Sequence, residues 1–408
     1  MKILVQKFGG SSLTTEDHRN RAIGHMEKAL AEGYSLVVVV SAMGRKGDPY
    51  ATDTLLQLIR QNGDSLQTRE HDLLLHTGEI ISACVVSSML NKRGITSTIL
   101  TGGQANIITT DDYNNAQILR IEPDRIFSEL EKERVVIVPG FQGRTEDWQI
   151  TTLGRGGSDT TATALGVALE AEMVDIFTDV NGIMTADPRI VDEAKPLHTM
   201  TYTEICNMAH LGAKVIHPRA VEIAMQTNLP IRVRSTFSED TGTLVTSLHE
   251  VGRFNESFSD RLVVGIAHVP NITQIKVFAK EGQYDTQLQV FKAMAKHEIS
   301  VDFINVNPLG VAYTVHDHMA DKAASILYDM GYEPQLMAHC AKVSVIGAGI
   351  AGVPGVMAQI VEALTREEVQ IMQSADSHTT IWLLVQDEDM VRAVRALHQQ
   401  FDLSNARL

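Results

Sequence analysis

Cysteine is nearly absent: Cys84, Cys206 and Cys340 are odd in number and far apart in 408 residues. That excludes a disulfide framework and a paired CxxC metal site, and leaves buried small hydrophobes as the expectation for all three. The histidines (His71, His76, His210, His217 and His378 among them) show no HExxH spacing, so no zinc site is read. Dense lysine–arginine runs are also missing, and the net charge is −15. Binding a phosphate backbone needs a basic surface, so a nucleic-acid partner is excluded. Small anions stay open, because a few placed cations outweigh the global field at short range. No apolar stretch approaches the roughly 20 residues of a membrane span. After Met1-Lys2 only three apolar residues precede Gln6 and Lys7, which is not a signal peptide. The expectation is a soluble, cytoplasmic protein without a membrane partner. The Walker pattern G-x-x-x-x-G-K-[ST] occurs nowhere.

What is present is another kind of phosphate turn. Lys7-Phe8-Gly9-Gly10-Ser11-Ser12 follows the apolar run Ile3-Leu4-Val5 and precedes a polar, helix-capable segment. Two glycines let backbone N–H groups approach a ligand with no Cβ in the way. A strand, a glycine turn and a helix start with a lysine beside them make an anion cradle. The same four residues serve equally well as a plain tight turn, so the rest of the chain has to decide.

The first 245 or so residues alternate strand-like and helix-like segments. Leu36–Val40 is a β-branched run ending at Ser41-Ala42-Met43-Gly44; Val135–Val138 ends at Pro139-Gly140, and Val174–Phe177 at Thr178-Asp179. Ala162, Leu165, Ala168 and Leu169 keep a helical spacing. This pattern predicts an α/β domain with a mostly parallel sheet and ligands at the strands' carboxyl ends. A polar stretch over 246–262 reads as a linker. Beyond it a βαββα unit recurs after about 70 residues, once over 263–340 and again over 341–408. Each copy is a small two-layer module related to ferredoxin-like folds. Gly347-Ala348-Gly349-Ile350-Ala351-Gly352 fits a dinucleotide fingerprint, yet only 56 residues follow it. They complete the second repeat, and Pro354-Gly355 displaces the helix start, so nucleotide binding there is set aside.

Gly154-Arg155-Gly156-Gly157-Ser158-Asp159-Thr160-Thr161 runs straight into the Ala162–Leu169 helix. Ser158, Asp159 and Thr160 are all capable N-caps, so a well-capped helix is the plain alternative. The excess glycine and the arginine fork favour a second anion site, an arginine being able to hold a carboxylate bidentately. Phe177 to Arg189 begins at a strand end and runs through turn residues, as a nucleoside loop does, or a mere connection. His76-Thr77-Gly78-Glu79 supplies a carboxylate beside a glycine. Thr52-Asp53-Thr54 is a hydroxyl-rich helix start. Lys214, after Gly212-Ala213, is by itself an ordinary solvated lysine.

Together these segments resemble the aspartate kinases of the amino-acid kinase superfamily, over essentially the whole chain. The resemblance rests on KFGG-[ST]-S, the VVVVSAMG strand end, TGE, GRGGSDTTA, FTDV-x-G-x-x-x-ADPR, GAKVIHPRAVE and the paired C-terminal modules, which look like ACT domains. The KGDPYATD insertion and the SADSHTTIW ending look like the diaminopimelate-sensitive isozymes of Bacillus-type bacteria. The implied fold is a three-layer α/β/α kinase domain over 1–245, followed by two ferredoxin-like ACT domains. The implied reaction moves the γ-phosphoryl group of ATP to the side-chain carboxylate of L-aspartate, the first step toward diaminopimelate, lysine, threonine and methionine. That nucleophile has a reference pKa of about 3.9 and is already ionised at neutral pH, so no general base is required. The task is to bring an anion to a polyanion, which calls for cations, aligned N–H donors and positioning.

By the same resemblance Lys7, Asp159 and Lys214 are the catalytic residues. Lys7 and Lys214 hold phosphate charge, while Asp159 orients them. ATP would contact Lys7, Phe8, Gly9, Gly10, Ser41, Ser158, Thr178, Asp179, Met184, Arg189 and Lys214. Aspartate would contact Ser41, Thr52, Asp53, Thr54, Glu79, Arg155, Gly156, Gly157 and Ser158, with Arg155 on its α-carboxylate and Glu79 on its α-ammonium. Mg²⁺ is expected to be bridged by ATP phosphates and water rather than caged by protein. A homo-oligomer through the ACT domains and an amino-acid effector are implied: meso-diaminopimelate first, lysine or threonine as alternatives, with Asp302 and Asn305 as effector contacts. Lys280-Glu281-Gly282-Gln283-Tyr284-Asp285 departs from the D-x-P-G turn common in ACT domains, which the second module keeps as Val353-Pro354-Gly355-Val356.

Overall fold

A computed structural model describes residues 1–61, 63, 65–211, 215–247, 262–279, 285–347, 350 and 352–405, apart from the side chain of residue 210. Lys214, nearly all of the 246–262 linker, residues 280–284, and Ala348, Gly349 and Ala351 of the Gly347–Gly352 pattern lie outside the described residues.

Eight strands form the large sheet, in the order Thr199–Thr201, Thr243–Thr246, Ile231–Ser235, Met173–Thr178, Ile3–Phe8, Ser35–Val40, Val135–Pro139, Thr98–Ile99. Every pairing is parallel except Ile231–Ser235 with Thr243–Thr246. Alternation along each strand builds the three layers. Val5, Val37, Val39, Val136 and Val138 point to one face, where Ala162 and Leu165 of the Gly157–Ala168 helix and Ala220, Val221 and Ala224 of the Pro218–Thr227 helix cover them. Leu4, Phe8, Leu36, Val38 and Val40 point to the other, under Ile23 and Met26 of the Glu16–Ala31 helix and Ala83, Val86 and Leu90 of the Thr68–Lys92 helix. Ile3–Phe8 pairs first with Ser35–Val40 and, much later in the chain, with Met173–Thr178 on its other side. The strand order therefore reverses at Ile3–Phe8, the position in an open α/β sheet where a crevice opens beyond the strand ends.

The 25-residue Thr68–Lys92 helix is long and apolar enough to cross a membrane, contrary to the expectation from sequence. Its buried Asp72, His76 and Glu79 tie it into the α/β domain instead. Asp72 alone accepts from the N–H groups of Asn114 and Thr152 and from the Thr152 hydroxyl, at 2.7–3.1 Å. Those partners belong to a small four-stranded sheet beside the crevice and the loop that leads to it.

The two βαββα units share one six-stranded antiparallel sheet, ordered Asp302–Asn307, Gly310–His316, Gly265–Phe278, Gln335–Ile346, Thr380–Gln386, Gln373–Asp376. The middle strands are long and shared. Ile272–Phe278 pairs within the first unit, whereas Gly265–Val269 pairs with Lys342–Ile346 of the second. A bulge between Val269 and Ile272 separates the two registers. The six-stranded sheet and its helices rest on the α/β domain through the 183–197 segment: Thr185 Oγ1 lies 2.9 Å from His398 Nε2, and the Thr185 carbonyl accepts from Ile266 N at 2.8 Å. Arg395 donates to the Ile190 carbonyl at 2.8 Å, and Asn207 to the Thr379 hydroxyl at 2.7 Å. Burial holds the His398 pKa below the ordinary imidazole value.

The cysteines depart from expectation in one case. Cys340 is buried and Cys206 partly so, but Cys84 is exposed on the Thr68–Lys92 helix.

Candidate active site

The crevice is built on close backbone approaches. Gly9 donates to the Phe177 carbonyl at 3.4 Å, and Ser41 to the Phe8 carbonyl at 3.1 Å, so three strand ends meet at one point. A Cβ on Gly10 would stand 2.6 Å from the carbonyl oxygens of Ala42 and Gly44, and one on Gly140 would stand 2.8 Å from the Ser158 side chain. Any side chain at either position would drive these segments apart.

Lys7 leaves the end of its strand toward the Gly157–Ala168 helix, where its Nζ meets Asp159 Oδ1 at 2.7 Å, both side chains 12% exposed. The other carboxylate oxygen of Asp159 accepts the His217 N–H at 3.2 Å. None of Ser158, Asp159 and Thr160 caps the helix. The N-cap is Gly156, in the left-handed region at φ 68°, with no side-chain cap. A Cβ there would sit 2.1 Å from Cγ of His217, so glycine is required both by φ and by space. The plain capping alternative therefore fails, and Asp159 faces the cradle. Arg155 is exposed at the tip of this loop and has no hydrogen bond or ion pair among the described residues.

Across the crevice, Glu79 is 3% exposed. Its Oε1 accepts the Ala42 N–H at 3.1 Å, while its Oε2 is buried with no partner. Burial pushes the Glu79 carboxyl up to about 8, only partly opposed by the Ala42 hydrogen bond. Gly78 makes the approach possible, since a Cβ there would lie 2.9 Å from the Ala42 Cβ. Thr52, Asp53 and Thr54 open the Thr52–Arg60 helix on the same side, and Thr54 Oγ1 accepts the Gly47 N–H at 3.3 Å.

On the remaining side, Thr178 donates to Asp179 at 3.2 Å, and Asp179 is ion-paired with Arg45. Met184 packs with Ile190 and Leu262 on the apolar cluster of the second βαββα unit. Arg189 turns to Asp187, with its Nη2 2.6 Å from the carboxylate. The structure thus gathers Lys7, Gly9, Gly10, Ser41, Ser158, Asp159 and Glu79 at one crevice, and sets Met184 toward the contact with that unit. Asp302 and Asn305 lie far along the chain on the exposed edge strand of the six-stranded sheet, Asp302 paired with the buried Lys342. Two donors of the crevice have no side-chain signature in the sequence: the backbone N–H groups of Ala42 and His217. Arg45, beside the SAMG strand end, pairs with Asp179.

Profiles of known families match two stretches of the chain. The Amino acid kinase family matches residues 2–235 and the ACT domain matches 336–399. Aspartokinase 1 of Bacillus subtilis (strain 168) is 57% identical over 404 residues, spanning 99% of this chain and 100% of that protein. Aspartokinase 2 of the same organism is 38% identical over 418 residues, spanning 99% and 98%. Escherichia coli aspartokinase III, solved in complex with aspartate and ADP in the R-state, superposes with a TM-score of 0.74 at 25% identity, covering 98% of this chain and 99% of that one. The chain belongs to the aspartokinases, ATP-dependent kinases of the amino-acid kinase family that carry ACT regulatory units.

Proposed function

We propose that this chain moves the γ-phosphoryl group of ATP onto the side-chain carboxylate of L-aspartate, forming 4-phospho-L-aspartate at the Lys7–Glu79 crevice. The observation that carries this reading is the pairing of opposites there. A lysine held by Asp159 stands at a glycine turn, and a partnerless buried carboxylate oxygen stands across from it. Lys7 and the Gly9-Gly10 N–H groups take phosphate charge, with Lys214 assigned as a second cation. Asp159 aims Lys7 rather than removing a proton. Glu79 receives the α-ammonium of aspartate, Arg155 folds onto its α-carboxylate, and Ser41, Thr52, Asp53, Thr54, Gly156, Gly157 and Ser158 seat it. Phe8, Thr178, Asp179, Met184 and Arg189 are assigned to the nucleotide side. Mg²⁺ would arrive on the nucleotide and neutralise phosphate charge; Asp159 already holds Lys7, which fits an ion carried by phosphate oxygens rather than caged by protein.

Residues 1–245 are assigned to the kinase domain, 246–262 to the linker, and 263–340 and 341–408 to the two ACT units, with the long middle strands common to both. The effector is proposed as an amino-acid end product, meso-diaminopimelate first, then lysine or threonine. Support comes from E. coli aspartokinase III, which was also solved with lysine and aspartate in the T-state. Asp302 and Asn305 are the proposed effector contacts, and an effector ammonium at Asp302 would compete with Lys342. A homo-oligomer is proposed through the edge strand Asp302–Asn307, where Ile304 and Val306 are exposed and the neighbouring turn shows Leu309 at 74% exposure. An unpaired apolar edge is a template for another strand. The cytoplasm is the proposed compartment.

One assay tests the reaction: ATP with aspartate, glutamate, N-acetylglutamate, carbamate or UMP, following ADP release with each and trapping acyl phosphate with hydroxylamine. Hydroxamate from aspartate alone is the expected result. Product from another acceptor, or none from any, overturns the reading. Repeating it with meso-diaminopimelate, lysine and threonine identifies the effector, and no response to any of them removes the sensor role.

A further inference from the structure

We infer that Arg45 is a further phosphate-binding residue, held by Asp179 in the free enzyme and transferred to the ATP phosphates when the nucleotide enters. The inference rests on the nucleotide site just proposed and adds a residue to it. Arg45 is anchored at both ends. Its backbone follows Gly44, whose N–H donates to the Gly10 carbonyl at 3.0 Å, so the chain at this point is fastened to the glycine turn itself. Its own N–H donates to Asp48 Oδ2 at 2.7 Å, and its carbonyl accepts the Asp48 N–H at 2.8 Å, which fixes the direction of departure. The guanidinium reaches Asp179, two residues past Phe177, whose carbonyl holds the Gly9 N–H. The side chain therefore runs from Gly10 to the end of the Met173–Thr178 strand, across the mouth of the cradle where a polyphosphate must lie.

The ion pair itself points to exchange. Arg45 and Asp179 are 69% and 41% exposed, and a pair this open to water contributes little to stability. A single carboxylate is a weak competitor for a guanidinium fork against the clustered charge of a triphosphate, which the fork matches bidentately. Lys46, exposed beside it without a hydrogen bond or ion pair among the described residues, adds positive charge to the same loop. The chain as a whole, at −15, supplies no such field. Lys7 sits on the strand that leads into the turn and is paired with Asp159. Arg45 comes from a separate loop fastened to Gly10, so the phosphates would be held by two elements.

The full-length enzyme and its Arg45→Ala and Arg45→Lys variants should be compared by calorimetric binding of ATP, ADP and AMP, and by KM for ATP and for aspartate. Arg45→Ala should weaken ATP and ADP about tenfold while AMP affinity and the aspartate KM change by less than about twofold, and Arg45→Lys should recover part of the loss. Unchanged ATP affinity overturns the inference. So does an equal loss for ATP, ADP, AMP and aspartate, which would mark a merely structural role. The binding measurement needs no acceptor: an enzyme that binds ATP through Arg45 yet does not phosphorylate aspartate keeps this inference and loses only the acceptor reading. One that binds no ATP loses both.

Discussion

The two buried carboxylates of the crevice live in opposite circumstances. Asp159 is matched by the protein, with Lys7 on one oxygen and the His217 N–H on the other. Glu79 has one oxygen matched by Ala42 and the other by nothing. Both arrangements avoid a bare buried charge, by different routes. The phosphate side stores its cation already paired. The aspartate side stores its anion as a neutral acid, and only an incoming ammonium makes ionisation favourable. A site for a polyanion can be preassembled, whereas a site for a zwitterion is left open at the point its partner must fill.

Removing Lys7 breaks the comparison most severely. Lys7→Ala should lower kcat by roughly two to three orders of magnitude, the range seen when one transition-state donor is lost, with the far-UV circular dichroism unchanged. Turnover within a fewfold of the parent would mean that the preassembled half does no phosphate chemistry. Next in size is Glu79→Gln, expected to raise the aspartate KM by about ten- to a hundredfold, since a buried charge-assisted contact is replaced by a neutral one. Its pH dependence sharpens the contrast. Glu79 is raised from 4.5 to about 8 in the free protein, so its neutral form contributes stability that is complete below pH 4.5 and lost as pH rises through about 8. Aspartate binding near pH 7 should then release a proton, and the aspartate KM should fall between about pH 6.5 and 8.5. Calorimetry in buffers of different ionisation enthalpy measures that proton. A flat profile in the parent enzyme would equate Glu79 with Asp159 and end the distinction. The smallest effect is reserved for Arg155→Ala: an aspartate KM about tenfold higher at nearly constant kcat, because an exposed fork adds binding more than catalysis. An aspartate KM that does not move counts against the clamp.

Much of this arrangement was legible in the residues. Runs such as Leu36–Val40 and Val135–Val138 are apolar enough to be buried on both faces, and the glycines after Phe8 and around Arg155 mark where backbone approaches ligand. The doubled βαββα pattern was equally plain. What the residues alone leave open is the surroundings of individual side chains, which are set by contacts distant in sequence. Glu79 looks like any helical carboxylate until Ala42 and Gly78 are seen to seal it in. Ser158, Asp159 and Thr160 have the chemistry of caps, and only the fold turns Asp159 toward Lys7 instead. Met184 sits in a nucleotide-like loop, yet the regulatory unit packs on it. Cys84 is exposed because the helix that carries it turns that face outward, which a lone cysteine does not announce.

The shared middle strands impose an order of assembly. Ile272–Phe278 and the elements that follow it can complete the first regulatory unit as soon as Gln335–Cys340 exists. Gly265–Val269 has no such early partner, since its pairing residues lie 73 to 81 positions further along the chain. During synthesis the first unit can close while the segment leading into it waits with its ladder groups unpaired, until Lys342–Ile346 has been made. The far half of the Gln335–Ile346 strand, rather than the end of the chain, thus seals the beginning of the sheet. The interval before it does so is when this protein offers a bare strand edge to its neighbours.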